Sequence, residues 1–388
     1  MSRVIRVTIV VGLLLALGTF AVVAGGGPDE HPLVDVAQQA SQPTGCRAPS
    51  GDPSGSAPAD PIGPDARVPA PRAAVPGISA GSSTEIETSG YAVGPVIETE
   101  TGEAWASIRD PRSTITVGQV ARVDGDRLGP IVGLVEGCAI SALALGTEGA
   151  WAATCDATAP PSTAAGAELV LVTARGAGRR IAVPTPCIGS LAVEGTIAWA
   201  ANLALADNPT RLWRIDLPTG AVEEPIAFGD EILRGVATTP TTVWTIRRST
   251  VGSRLVGNDV TTGAEVASTA TGPLVLLGVV EDRLWTQDES TRTLVAFDAT
   301  SGEAAAPVAI PDLVGATVGP SGPWFLQAST ADLTIAIGTL DDDDQIAAIM
   351  TIVGVGPDRT GLPYLPDLSV TARGVWLASQ NRLFIVNG

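Results

Sequence analysis

The chain predicts an all-β fold: a seven-bladed β-propeller of four-stranded antiparallel blades, its last blade closed by an N-terminal strand. Three observations carry this prediction. Trp105, Trp151, Trp199, Trp244, Trp285, Trp324 and Trp376 recur with gaps of 46, 48, 45, 41, 39 and 52 residues. An interval of about 45 residues suits four short strands and their turns. An Asp-x-x-Thr/Ser-Gly turn recurs between strands in step with the tryptophans, and the chain stops one strand short of a complete last blade.

The elements follow in chain order. Arg3 and Arg6 precede an uncharged, mostly apolar run over residues 7–27, which closes at Pro28-Asp29-Glu30. Residues 1–27 therefore read as a signal peptide, with a small-residue pattern ending at Ala24, or as an uncleaved membrane anchor just long enough to span. Either way the positive flank stays inside and the body is exported. Residues 28–76 hold 11 prolines among Ala, Gly, Ser and Asp, too many for strands and too few apolar side chains for a core. They read as a disordered spacer, and residues 77–388 as the propeller.

Export makes the four cysteines read as two disulfides among Cys46, Cys138, Cys155 and Cys187. Cys138 and Cys187 precede the next Trp by 13 and 12 residues, and Cys155 follows Trp151 by four. A hairpin turning near Gly146 to Gly149 would bring Cys138 to Cys155 and close a loop worth roughly 3 kcal/mol. Cys46 would then tie the spacer to Cys187. Metal ligation has little to build on, since no C-x-x-C pair is present.

Within the third repeat the pattern places strand A at 190–193, B at 198–201, C at 211–216 and D at 221–227. Strand A is made of small apolar residues, because blades narrow toward the axis, and strand B carries the Trp. The tryptophans read as packing between blades rather than as an aromatic ligand box. Between C and D come Asp216-Leu217-Pro218-Thr219-Gly220, Asp259-Val260-Thr261-Thr262-Gly263 and Asp298-Ala299-Thr300-Ser301-Gly302. The Asp side chain accepts backbone N–H groups and Gly supplies positive φ. With Ile215-Asp216 ending strand C, residues 90–388 resemble the exported virginiamycin B lyase-like, YVTN-type β-propellers. That resemblance implies the propeller fold. The last blade reads as A at 369–373, B at 375–378 and C at 382–386, so a strand near 83–88 is expected to pair with 382–386.

The sole histidine, His31, falls in the spacer. The lyase chemistry that the resemblance implies uses a His base with Mg²⁺, and that base has no counterpart here; His-dependent triads and His-ligated metals are excluded too. No P-loop, dinucleotide or nucleophile-elbow motif occurs. A net charge of −18, with 23 basic residues that are all Arg, argues against nucleic acid and anionic lipid as partners. Lactonase-like propellers hold a divalent ion at the channel mouth through Asp, Asn and Glu. Asp156, Asn202, Asp288 and Glu289 are of those types, with Asp156 and Asp288 the metal candidates, but they stand at different offsets from their Trp and share their loops with Arg109, Arg247 and Arg248. Asp341 to Asp344 fall where the C–D turn belongs and read as an acidic turn, lacking the glycine of a calcium loop.

What remains is a rigid disc, expected as a monomer, with variable loops at 156–167, 204–210 and 354–367. The expectation is a non-catalytic binding or scaffold propeller at the cell exterior, touching the membrane only through its N-terminal segment. It would recognise a protein or cell-envelope ligand without a cofactor. Arg109, Asp156, Asn202, Arg247, Asp288, Gln327 and Gln380 are the binding-face candidates. The alternative is a divalent-metal lactonase- or lyase-like enzyme.

Overall fold

The computed structural model describes residues 82–99, 102–111, 113, 117–156, 166–173, 176–202, 210–329, 334–341, 343–353, 367–379 and 382–387. The expected signal or anchor and the spacer lie outside them. All regular structure among the described residues is β. Blade 1 is β2 (Ala92–Glu98), β3 (Ala104–Arg109), β4 (Val117–Asp124) and β5 (Arg127–Glu136), and blade 2 is β6 (Ala139–Gly146), β7 (Gly149–Cys155), β8 (Ala167–Thr173) and β9 (Gly176–Val183). Blade 3 holds β10 (Ile188–Glu194), β11 (Ile197–Asn202) and β12 (Arg211–Asp216), with β13 (Ala221–Val222) and β14 (Ile226–Ala227) sharing the outer edge of β12.

Blade 4 is β15 (Ile232–Thr238), β16 (Thr242–Arg248), β17 (Ser253–Asp259) and β18 (Glu265–Thr271). Blade 5 is β19 (Leu274–Val280), β20 (Arg283–Asp288), β21 (Thr293–Asp298) and β22 (Val308–Ala309). Blade 6 is β23 (Leu313–Gly319), β24 (Gly322–Ser329), β25 (Thr334–Leu340) and β26 (Ile346–Val353). Blade 7 takes β27 (Asp367–Thr371), β28 (Gly374–Ser379) and β29 (Arg382–Asn387), then β1 (Ser82–Ile86) as its outer strand. Ser83 pairs with Val386 and Ile86 with Leu383, so the N-terminal strand closes the ring as expected. Inner strands of neighbouring blades adjoin all the way round, β27 meeting β2 at the closure.

Hydrophobic packing explains the tryptophan period. Each of the seven falls in, or packs on, an apolar cluster shared with the following blade: Trp105 with blade 2, Trp151 with blade 3, Trp199 with blade 4 and Trp244 with blade 5. Trp285 packs with blade 6, Trp324 with blade 7 and Trp376 with blade 1. The same position in each repeat thus builds the same interface seven times. Inner strands approach closely enough to require glycine: Gly235 has φ +120°, and a Cβ there would lie 2.6 Å from the Leu276 carbonyl oxygen of the next blade.

The expected outer strand at 221–227 is split. Pro225 separates β13 from β14, and Pro307 in blade 5 precedes a two-residue β22. Proline has no N–H for the ladder and is tolerated at an edge strand, which is where both stand.

The turns between strands C and D form as expected. Asp216, Asp259 and Asp298 each accept the backbone N–H and hydroxyl of the Thr or Ser three residues on, and Gly220, Gly263 and Gly302 have φ of +73°, +70° and +72°. Those bonds hold the three carboxyls below the usual range, through the Thr219 hydroxyl first for Asp216 and the Thr262 and Ser301 N–H groups first for Asp259 and Asp298. Asp341 caps an equivalent turn, accepting from the N–H of Asp343 and Gln345. Asp344 does more than an acidic solvated turn would, since both its oxygens bind the Arg283 guanidinium of blade 5 at 2.8 and 2.6 Å.

The disulfide corrects the expected pairing. Cys155 is bonded to Cys187, not Cys138. Cys187 lies in the connection from blade 2 into blade 3, directly opposite Cys155 in an antiparallel bridge, with Cα atoms 3.9 Å apart. On β6 it is Ala139, not Cys138, that pairs with Cys155. Cys138 is itself disulfide-bonded, to a partner outside the described residues, and no described cysteine is free.

Candidate functional site

Antiparallel order gives the ring two distinct ends. The A–B and C–D turns gather at one, here the turn end; the B–C and D–A connections gather at the other, the loop end. Arg109, Asn202, Arg247, Asp288 and Gln327 all stand at or beside the end of a strand B, so each lies at the loop end. Asp156 follows β7 there too, and Gln380 lies outside the described residues.

Asn202, Arg247, Asp288 and Gln327 share one offset, three residues after their Trp, as does Thr154 in blade 2. Each pairs with an apolar residue at the start of strand A: Ile188, Leu233, Leu274, Leu313 and Ile140 respectively. A register shift follows in strand A of blades 1 to 6, at once in all but blade 5, where it comes after Leu276. Such a bulge re-aims the strand and leaves backbone to be satisfied by side chains.

The polar residues at this offset do that work. Thr154 Oγ1 accepts from Glu168 N at 2.7 Å, and Asn202 Oδ1 accepts from Arg211 N at 2.6 Å, each closing its B–C connection onto strand C. Asp288 Oδ1 accepts from the N–H groups of Ser290 and Thr291 and from the Ser290 hydroxyl. Burial opposes its ionisation, but those bonds outweigh it and hold the carboxyl below the usual range. Gln327 donates to the Pro311 carbonyl at 2.7 Å, joining its blade's strand B to the preceding connection.

Arg247 is only 5% exposed. Its guanidinium lies 4.1 Å over the Phe228 ring and donates to Asn258 Oδ1 and Thr245 Oγ1, with Glu265 at 3.8 Å. Burial, then the like charge of Arg254, pushes its pKa down to about 10, still cationic at neutral pH. Asp156, 2% exposed, sits beside the disulfide and donates its N–H to the Pro186 carbonyl. No cluster of three His, Cys, Asp or Glu suited to a metal occurs among the described residues.

The arginines form a further set, only Arg109 and Arg247 of which are binding-face candidates from sequence. Ten described arginines form ion pairs, among them Arg234 of strand A in blade 4, which reaches Glu289 of blade 5 at 3.1 Å. Among the described residues Arg109, Arg127, Arg211 and Arg248 are exposed and without a carboxylate partner. Three of these four, Arg109, Arg211 and Arg248, are at the loop end, although acidic residues outnumber basic ones 41 to 23. Arg109 is the one of them expected at the binding face from sequence; burial and pairing, which no spacing encodes, distinguish the others. At the turn end a shallow hollow of about 340 Å³ lies among Val280, Glu281, Val318, Pro320 and Val370.

With seven blades closed on themselves, the comparison with solved structures is decisive for fold. The Neurospora crassa Pan2 WD40 domain superposes with a TM-score of 0.54 at 9% identity, covering 76% of this chain and 89% of that one. The Doa1 WD40 propeller domain gives 0.53 at 9%, covering 81% and 98%. The fold is a WD40-like seven-bladed propeller. Kuenenia stuttgartiensis hydrazine synthase is similar too, at 0.52 and 12% identity over 83% of this chain and 99% of that one. A fold shared with both WD40 domains and a synthase assigns no activity. No protein-family model and no curated protein matches the chain.

Proposed function

We propose that this chain is an exported, non-catalytic binding or scaffold propeller that recognises a protein or cell-envelope ligand through its loop end. One observation carries the reading. The polar side chains at the ends of the B strands are spent on loop backbone, which leaves exposed, unpaired arginines as the groups free to meet a partner. A reacting centre needs groups converging on one point. The described bonds of Asn202, Arg247, Asp288 and Gln327 instead run to their own blade and its adjoining connections. Kinship with the exported YVTN-type propellers is part of the proposal and rests on the Asp-x-x-Thr/Ser-Gly turns. Export is supported by the oxidised cysteines, which persist in extracytoplasmic compartments.

Two measurements test it. Protein recovered from the cell exterior should resist thiol alkylation until it is reduced; recovery only from the cytoplasm with reactive thiols would end the export reading. Purified protein should carry no stoichiometric divalent metal by mass spectrometry. A bound ion lost on Asp156→Ala or Asp288→Ala would replace the binding reading with the metal-enzyme one.

A further inference from the structure

The loop end is not uniform, and blade 4 differs from its neighbours. Five large apolar side chains are exposed among the described residues: Leu145, Ile232, Val251, Val266 and Ile346. Leu145, Val266 and Ile346 stand toward the turn ends of their strands, whereas Ile232 and Val251 belong to the loop end of blade 4. Ile232 is 46% exposed and Val251 95%.

These two residues flank a free cation. Ile232 pairs directly with Arg248 across β15 and β16, and Arg248 pairs with Ser253 across β16 and β17. Val251 lies at the tip of the hairpin that joins β16 to β17, closed by the Ser249 N–H donating to the Gly252 carbonyl at 2.8 Å. Arg248 is exposed and has no carboxylate partner among the described residues. The base of the corner is rigid, because the adjacent Arg247 is buried over Phe228 and Arg254 is held at 3.0 Å by both oxygens of Glu231.

The centre of the hairpin runs against turn preference. Ser249 caps this hairpin by accepting the Val251 N–H and Gly252 closes it, but its two central positions hold Thr250 and Val251, both β-branched, where Gly, Asn, Asp or Pro is favoured. The corresponding connection of blade 5 follows the preference, with Asp288 capping Glu289-Ser290-Thr291-Arg292. An aliphatic tip, an exposed aliphatic neighbour and an unpaired guanidinium together form an apolar surface with one positive charge. Its complement is an aliphatic side chain set beside a carboxylate.

We propose that Ile232, Arg248 and Val251 form the docking corner for a partner protein, which inserts an extended segment carrying a branched aliphatic residue next to Asp or Glu. This rests on the loop-end reading above and names the chemistry of its partner. Aliphatic contact supplies area, and the carboxylate, in ion-paired reach of Arg248, sets register. The neighbouring blade adds a second exposed cation, Arg211, at the same end.

The test uses the full chain in cells that naturally make it, with the photo-cross-linker p-benzoylphenylalanine placed at position 251, or at 109, or at 145. Position 251 should give one dominant adduct whose cross-linked peptide holds Asp or Glu beside Ile, Leu or Val. Arg248→Glu should reduce that adduct about tenfold without moving the melting temperature, and changing the partner's carboxylate to Lys should restore it. An adduct with a second copy of the chain, a peptide lacking a carboxylate, or indifference to Arg248→Glu would overturn the corner. Adducts at 109 but not 251 would overturn it while sparing the loop-end reading. Adducts only at 145, or none at all, would remove both.

Discussion

The turn end and the loop end of this ring are made of the same strands and serve opposite ends. At the turn end, among the described residues, side chains reaching the next blade's turns clasp neighbouring blades at five junctions. Arg179 donates to the Leu217 carbonyl, Arg214 to Val260, Thr269 to Gly302, Arg283 to Asp344 and Arg373 to Gly102. The repeated turn is therefore a joint between blades as well as a reversal within one. At the loop end, side chains mostly bind the connections adjoining their own blade, Arg234 reaching Glu289 of blade 5 being an exception, and the exposed arginines are left over. One end spends its polar groups on the ring; the other keeps some in reserve.

Substitutions can break or sharpen this contrast. The largest effect is expected between the ends, at the inter-blade tryptophans. Trp244→Ala empties the space between blades 4 and 5 and should cost about 3–5 kcal/mol in urea unfolding. Trp244→Phe should cost far less than Trp244→Ala, since the indole N–H has no protein acceptor and its loss removes a buried unsatisfied donor. Equal losses for the two would show that the ring needs the indole shape itself.

The disulfide is the strongest covalent challenge to the contrast, because it is structural yet lies at the loop end. Replacing both Cys155 and Cys187 with Ser should cost about 2–4 kcal/mol by thermal unfolding, from the entropy of opening a loop of 32 residues. No change in melting would mean that other contacts already lock blade 2 to blade 3.

Arg283→Ala removes a bidentate ion pair and stacking 4.6 Å over Trp285, and should cost roughly 1–2 kcal/mol. A double-mutant cycle with Asp344→Ala isolates the pair; zero coupling would reduce this clasp to a passive contact. Acid should loosen the turn end next. The depressed carboxyls of Asp216, Asp259 and Asp298 contribute stability that is present above their unfolded pKa of about 4 and is lost as pH falls through the folded values. Converting all three to Asn should flatten the fall in melting temperature below pH 4, and an unchanged slope would place the acid sensitivity elsewhere. Arg248→Ala should be smallest, within about 0.5 kcal/mol of wild type. A larger loss would make Arg248 part of the ring rather than a reserve.

The fold was legible because its signals are local or periodic. Asp216, Thr219 and Gly220 specify their turn from within five residues, and each Trp meets the next blade by repeating one register. The closing strand could be inferred because β29 ended with an open edge. The disulfide was not legible in its pairing: Cys155 meets Cys187 through the geometry between two blades, which spacing within a hairpin does not encode. The split of the outer strand at Pro225 was written in the chain, as was the shared offset of Asn202, Arg247, Asp288 and Gln327. Their roles were not, since burial of Arg247 over Phe228 and capture of Arg211 N by Asn202 arise only from the assembled loops. In the sequence Arg248 reads as one more charge on a mixed rim.

The pairing of β1 with β29 also has a mechanical side. Ser82 pairs with Asn387, so the chain enters β1 from the turn end and runs along the outside of blade 7 toward the loop end. A pull on the chain upstream of Ser82, directed away from the turn end, acts along the strand, at right angles to the antiparallel hydrogen bonds. All the bonds of that five-residue ladder then bear load together in shear, instead of opening one at a time as a zip. The strand that closes the ring is thereby oriented to resist tension.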